Sequence, residues 1–153
     1  MTISVRELQS TDVETILGLR LQWLSQTFDV SDTTSKVRDW FSNYLGNPQS
    51  FALVATDRQA CVGYILCDLL AHPTMSGLSA MIEEVCVAEP FRRRGIGRRL
   101  VLEARQRLVS RVDDLTTIRA QIDRKDDRAI AFWSALGFEQ HVIEFTDYLE
   151  IQQ

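Results

Sequence analysis

Arg92, Arg93, Arg94, Arg98 and Arg99 stand around Gly95 and Gly97, at the point where an apolar run gives way to a helical pattern. Backbone N–H groups at the start of a helix have no intrahelical acceptor and point together at whatever lies beyond the terminus. Two glycines in three residues let that backbone approach a ligand closely. The helix dipole adds about 0.3 to 1 kcal/mol for a nearby negative charge, and each charge-assisted hydrogen bond roughly 1.5 to 3 kcal/mol. The chemistry written here is anion binding, with phosphate favoured over carbohydrate or a nucleobase. Basic side chains at a helix N-terminus oppose the dipole, so a merely solvated cluster would be placed unfavourably. Neither standard nucleotide fingerprint is present: there is no G-x-x-x-x-G-K-[ST], and Leu100 stands where G-x-G-x-x-G needs its third glycine. Just upstream, "IEEV" supplies two adjacent carboxylates, Glu83 and Glu84, either of which could accept a proton. Strand alternation predicts Glu83 on the face of Val85 and Val87, and Glu84 on the opposite face with Ile82 and Cys86.

These residues need a frame. "ISVREL" alternates as a short strand, and "STDVETILGLRLQWLSQ" follows as a helix with Thr11 and Glu14 spaced as a capping box. Val13, Ile16, Leu17, Leu21 and Leu24 share its apolar face. Lys36 to Leu45 carries Val37, Trp40, Phe41 and Tyr44 at helical spacing, and Trp23, Trp40 and Phe41 are expected to be mostly core. "FALVAT" and "ACVGYILCDLL" around "DRQ" predict a hairpin, and "SAMIEEVCV" a third strand. From Gly97 the period is helical, with Ile96, Leu100, Val101, Ala104 and Leu108 inward. "LTTIRAQI" is a strand. "DRAIAFWSAL" is a short helix with Ala129, Phe132, Trp133 and Leu136 inward, Asp126 as its N-cap and Gly137 as its left-handed C-cap. A last strand runs from about His141 to Ile151. The fold class expected is α/β (α+β): a mixed, mostly antiparallel central sheet flanked by helices on both faces.

The chain has 153 residues, which with no repeat or linker suggests one domain over 1–153. Its 17 Lys+Arg against 21 Asp+Glu leave a net charge of -4, so the arginine cluster is local, and a coat for nucleic acid or anionic membrane is disfavoured. Three cysteines without CxxC spacing read as free thiols of a reducing compartment, and the expected location is cytoplasmic. No apolar run approaches eighteen residues, and the N-terminus has no signal-like pattern. His72 and His141 have no partner at ligand spacing, so no metal is expected.

"RRRGIG" resembles the Q/R-x-x-G-x-G/A motif of the GNAT superfamily of acetyl-coenzyme A dependent N-acetyltransferases, after "VAEPFR" and before "GRRLV" as in that family. "DDRAIAFWSALGF" is similar to its N-x-x-A-x-x-F-Y-x-x-x-G-F segment, so the two motifs cover Met81 to Phe138 at the family's separation. The resemblance implies an N-acetyltransferase with acetyl-CoA as cosubstrate. The pyrophosphate would rest on the amides of Arg93, Arg94, Gly95, Ile96, Gly97 and Arg98, with Arg92, Arg93 or Arg94 meeting its remaining charge. Val85, Cys86 and Val87 would offer strand backbone to the pantetheine, and an N–H near Cys86 or Val87 would stabilise the oxyanion. Asp126 and Phe132 complete the residues assigned to the cofactor. In the family, that strand usually splays from its neighbour to admit the thioester.

"IEEVCV" is similar to the strand of polyamine and aminoglycoside acetyltransferases, where the acid at the Glu83 position is the base, so Glu83 is the first candidate and Glu84 the second. The departures are Trp133 where the family has a tyrosine that protonates the leaving thiolate, and Asp126 where it has asparagine. Tyr148, Tyr64, Tyr44 and Ser134 are alternative donors, and Cys86 reads as a small core side chain. Asp29, Asp32, Asp68, Glu83 and Glu84 would make an acidic acceptor pocket if they converge, suited to a small-molecule or peptide amine such as a polyamine, aminoglycoside or lysine. Members of the family often dimerise, and the final strand is the candidate for pairing between copies. The rivals are a non-catalytic acyl-CoA sensor or partner-binding module, favoured by Trp133, and a nucleic-acid binder with steep salt dependence.

Overall fold

The computed structural model describes residues 1–24, 34–72 and 76–141. The alternating segments become strands β1 (Ile3–Glu7), β2 (Ser50–Asp57), β3 (Ala60–Ala71), β4 (Leu78–Val87) and β5 (Leu115–Ala120). They form one sheet in the order β1-β2-β3-β4-β5. The first three pairings are antiparallel and the last, β4 with β5, is parallel. The β2–β3 turn has Arg58 and Gln59 both at positive φ, 47° and 78°, as the tight two-residue hairpin requires.

Helices α1 (Val13–Leu24) and α2 (Thr34–Gly46) cover one face of the sheet. Val13, Ile16 and Leu17 of α1 and Val37, Phe41 and Tyr44 of α2 close on Val54, Tyr64, Leu66 and Cys86. Helix α3 (Ile96–Arg111) packs on the other, burying the five side chains its period selected: Ile96, Leu100, Val101, Ala104 and Leu108. Each of the four larger side chains, Ile96, Leu100, Val101 and Leu108, stabilises the packing by roughly 1.5 to 3 kcal/mol.

Local details depart from the periodic reading. Helix α1 is entered through a 3-10 turn, Ser10–Asp12, in which the Gln9 N–H donates to Asp12 Oδ2 at 2.8 Å. Asp12 also accepts from Arg6 at 2.7 and 2.8 Å, so it performs the capping expected of Thr11 and Glu14. Glu14 instead pairs with Arg38 of α2 at 2.9 Å. Phe41 is fully buried, but Trp23 and Trp40 are 47% and 39% exposed, so only one of these three aromatics is core.

Strand β1 lies at the sheet edge. The Leu8 N–H donates to Ala52 O, so by alternation Ile3, Val5 and Glu7 turn their backbone groups outward. Helix α3 meets them: Arg99 donates to Ile3 O at 2.6 Å, Arg107 to Val5 O at 3.0 Å, and Arg111 pairs with the Glu7 carboxylate.

Contacts divide the chain into two units, Met1–Gln121 and Ile122–Gln153. In the second, α4 (Asp127–Ala135) is capped by Asp126, whose Oδ1 accepts from the Ala129 N–H at 2.9 Å. Gly137, at φ 83°, ends it, with Gly137 N–H donating to Ser134 O and Phe138 N–H to Trp133 O. The final strand expected from His141 onward falls at residues 142–153, outside the described residues.

Candidate functional site

The site is organised by one irregularity in β4. Leu66 of β3 faces Glu84 and the next residue, Cys67, faces Ile82, so Glu83 is an extra residue with no partner across the ladder. Such a bulge interrupts the alternation of faces. Tyr64 and Leu66 oppose Cys86 and Glu84 and belong to the face under α1 and α2. Ile82 opposes Cys67 and turns the other way, towards α3. Glu83 therefore shares the α1/α2 face with Glu84. This corrects the expectation that grouped Glu83 with Val85 and Val87, and Glu84 with Ile82: one inserted residue shifted the parity.

The two neighbouring carboxylates have different surroundings. Glu84 is held between helix and sheet: Arg20 of α1 donates from Nε to Glu84 Oε1 at 2.8 Å, with its NH2 2.7 Å away, and Tyr64 OH donates to Oε2 at 2.9 Å. The Arg20 guanidinium also lies over the ring of Trp40, 4.8 Å from its centroid. Glu83 is exposed and has no hydrogen bond or ion pair among the described residues. Partial burial, then the charges of Asp68 and Glu84, push its carboxyl above the ordinary glutamate range. Asp68 is on this face too, accepting from Ser50 Oγ at 2.9 Å. Opposite Asp68 on β4 is Met81, and beside Met81 on β5 is Arg119, whose Nε is buried without a hydrogen-bond partner.

Strand β4 also has an open edge. Its pairing with β5 runs from Leu78–Leu115 to Ile82–Ala120 and stops there. The Ala88 N–H donates to Val62 O, so by alternation Cys86 and Glu84 direct their backbone groups to β3, while Val85 and Val87 direct theirs to the open side. The strands part as the sequence led us to expect, and the N–H groups facing the gap are those of Val85 and Val87, not that of Cys86. The Cys86 side chain is buried, and burial pushes its thiol up. Tyr64 and Tyr44 are likewise raised above the ordinary tyrosine range, chiefly by burial. Their hydroxyls are committed, Tyr44 donating to Cys67 O at 2.7 Å.

The open edge leads into the glycine turn. Glu89–Phe91 form one 3-10 turn, and Arg93 and Gly95 then adopt positive φ, 62° and 76°, before α3 begins. For arginine that conformation is strained, a cost tolerated where a site needs the geometry. The N-cap Gly95 offers no side chain, and the first turn of α3 contains no acid. The amides of this 16-residue helix thus meet no anion supplied by the described chain. Arg92 donates to Val87 O at 2.9 Å, and Arg94 lies over the Phe91 ring at 5.8 Å. Arg93 and Arg98 are exposed and have no partner among the described residues, which leaves them free to meet a ligand's charge.

Comparison with known proteins places the chain in a family. The model of the acetyltransferase (GNAT) family matches residues 19–138. The chain belongs to the GNAT family. Solved GNAT-like structures share its fold. The aminoglycoside N-acetyltransferase AAC(6')-Iy in complex with CoA has TM-score 0.80 at 16% identity, over 97% of this chain and 96% of that one. An aminoglycoside acetyltransferase from an uncultured soil metagenomic sample, in complex with sisomicin, has TM-score 0.76 at 19% identity over 97% of each chain. A protein of Bacillus halodurans C-125 described as a transcriptional regulator has TM-score 0.80 at 20% identity, over 97% of this chain and all of that one. No curated protein sequence matches the chain.

Of the residues singled out in the sequence, the structure brings Glu83, Glu84, Val85, Cys86 and Val87 together on β4, and Arg92 to Arg98 around the start of α3. Asp126 and Phe132 lie in the second unit; Phe132 is half-buried and meets the Trp133 ring edge-to-face at 5.1 Å. Asp29, Asp32 and Tyr148 fall outside the described residues, and Ser134 is exposed on α4. Sequence reasoning missed Arg20, 64 residues from its partner. Its one signal was a cation four residues after Ile16, on the buried stripe of α1. No cluster of three or more metal-ligand side chains, and no helix long and apolar enough to cross a membrane, occurs among the described residues.

Proposed function

We propose that this GNAT protein transfers an acetyl group from acetyl-CoA directly to a primary amine of a small molecule or peptide, with Glu83 as general base. The observation that carries this is the continuity of two sets of backbone N–H groups without a partner among the described residues: those of Val85 and Val87 on the open edge, and those at the uncapped start of α3 beyond it. Together they suit a ligand with amide groups at one end and a pyrophosphate at the other. Acetyl-CoA supplies the activated thioester. The amides from Gly95 to Arg98, with the side chains of Arg93 and Arg98, would hold the pyrophosphate, and the Val85 and Val87 backbone the pantetheine. An N–H of that open edge would stabilise the oxyanion.

An amine arrives as ammonium at neutral pH and must lose a proton before it attacks. Glu83, exposed and more basic than an ordinary glutamate, suits that task; Glu84, already engaged by Arg20 and Tyr64, suits positioning. The cationic aminoglycoside acceptors of the structural neighbours, and the carboxylates Asp68 and Glu83 here, support a cationic acceptor of polyamine, aminoglycoside or lysine type. The buried Cys86 thiol is unsuited to carrying the acetyl group, so transfer is direct. The leaving thiolate has a conjugate-acid pKa near that of cysteine, about 8.5, so the proton released by the amine suffices.

A second reading, an acyl-CoA sensor without turnover, rests on Trp133 in the place of tyrosine and on the committed hydroxyls of Tyr44 and Tyr64. Thermal unfolding with acetyl-CoA, CoA and ATP, then thiol release over a panel of amines, separates the two. Stabilisation by both CoA species with thiol release supports the transferase. Stabilisation without release supports the sensor. A carboxylate at Gly97 would occupy the anion site, so Gly97→Glu should fold yet lose CoA stabilisation; unchanged CoA affinity by calorimetry would remove the cradle from the account.

A further inference from the structure

We infer that Arg20 is a positioning residue for the transfer: by fastening Glu84 to the wall of α1 and α2, it leaves Glu83 as the single free carboxylate of the bulge. This rests on the reading of Glu83 as base and extends it to a residue on a different element.

Arg20 joins three parts of the structure. It grips Glu84 through Nε and NH2, stacks over Trp40 of α2, and lies 5.7 Å from the centroid of the Phe41 ring. Its side chain is 19% exposed and that of Glu84 13%, so the pair is shielded from water far more than a surface ion pair. Tyr64 OH takes the second oxygen of Glu84, which leaves that carboxylate no freedom to swing towards an acceptor.

A bulge otherwise presents two adjacent carboxylates on one face, and both could compete for the same ammonium. With Arg20 in place, one is neutralised and directed into the wall. Among the described residues, the charged and titratable groups about Glu83 are then Glu84 beside it, Asp68 and Cys67 from β3 and Tyr44 from α2, with Arg20 of α1 held on Glu84. Arg119 lies on the same face of β5. Among the described residues Arg20 is the cation that contacts Glu84, so its loss leaves that charge uncompensated next to Glu83. An uncompensated neighbouring charge moves a half-exposed carboxyl by roughly half to two pH units.

The test titrates the free protein, with side-chain carboxyl carbons labelled and the Glu83 signal assigned by its loss in Glu83→Gln. Arg20→Gln should raise the Glu83 midpoint by at least about half a pH unit. Arg20→Lys, which keeps the charge, should stay close to wild type. Glu84→Gln should lower the midpoint, and it provides the measurement should Arg20→Gln fail to fold. A merely structural Arg20 would lower the melting temperature of Arg20→Gln and leave the Glu83 midpoint unmoved, which overturns the inference. An unmoved midpoint in Glu84→Gln overturns it equally. The base reading is tested separately by thiol release: full activity of Glu83→Gln refutes that reading, whatever the titration gives.

Discussion

Replacing Glu83 by glutamine preserves shape and removes only the charge and the basicity, so its consequences follow from the bulge. General-base catalysis contributes about 10²- to 10⁴-fold, equivalent to roughly 2.7 to 5.5 kcal/mol of barrier. A primary amine with a pKa near that of lysine, about 10.4, is free to roughly one part in 2,500 at pH 7. Without Glu83 only that fraction reacts. The variant's rate should therefore climb about tenfold per pH unit, and its deficit should shrink about a hundredfold from pH 7 to pH 9. Stability should move the opposite way. The folded-state pKa of Glu83 is raised, so the ionised carboxylate opposes folding; that penalty is absent below the unfolded pKa and complete above the folded one. Glu83→Gln should thus melt at a higher temperature than wild type at pH 7 and at the same temperature in acid. The assays are thiol release from acetyl-CoA with spermidine or sisomicin between pH 6 and 9.5, and thermal unfolding at pH 3.5 and 7. A deficit that stays constant with pH would refute proton removal by Glu83, and a lower melting temperature at pH 7 would refute its electrostatic setting.

Other consequences are simpler. Gly77 adopts φ 101°, and an added Cβ would sit 2.6 Å from Asp114 O, so Gly77→Ala should cost about 2 to 4 kcal/mol and lower the melting temperature by about 5 to 15 °C; a shift under about 1 °C would show that the loop relaxes freely. Arg93→Gly relieves a left-handed arginine and deletes a free cation, so thermal stability should rise by about 1 kcal/mol while CoA affinity by calorimetry falls several-fold. An unchanged CoA affinity would separate Arg93 from the anion cradle.

Most of the frame was legible because its signals are local. Apolar spacing alone selected the buried face of α3, and Asp126 and Gly137 marked both ends of α4, since caps and helical periods are written within a few residues. The faces of Glu83 and Glu84 were not. A bulge is an event between two strands, and nothing in "IEEV" distinguishes an even alternation from one with an inserted residue. The capping of α1 escaped for a related reason: Asp12 wins because Arg6, on the preceding strand, adds a salt bridge that the Thr11 and Glu14 spacing does not register. Trp23 and Trp40 matched a core pattern, yet they stand at the rim, where Trp40 keeps ring contacts with Phe41 and Tyr44 and the Arg20 guanidinium lies over it. The pairing of Arg20 with Glu84 required the fold itself.

The arginines that α3 extends over β1 bear on how the molecule behaves among copies of itself. An outward row of strand carbonyls is a template on which a second chain can add by hydrogen bonding, the first step of many aggregates. Here the Ile3 and Val5 oxygens already accept from Arg99 and Arg107, and a third arginine engages Glu7 beside them. A strand arriving at this margin would have to displace guanidinium groups and bury their charge. Charge borne by a helix thus protects a sheet from unwanted growth, and only the arginines left over, Arg93 and Arg98 among them, are free to recruit a ligand.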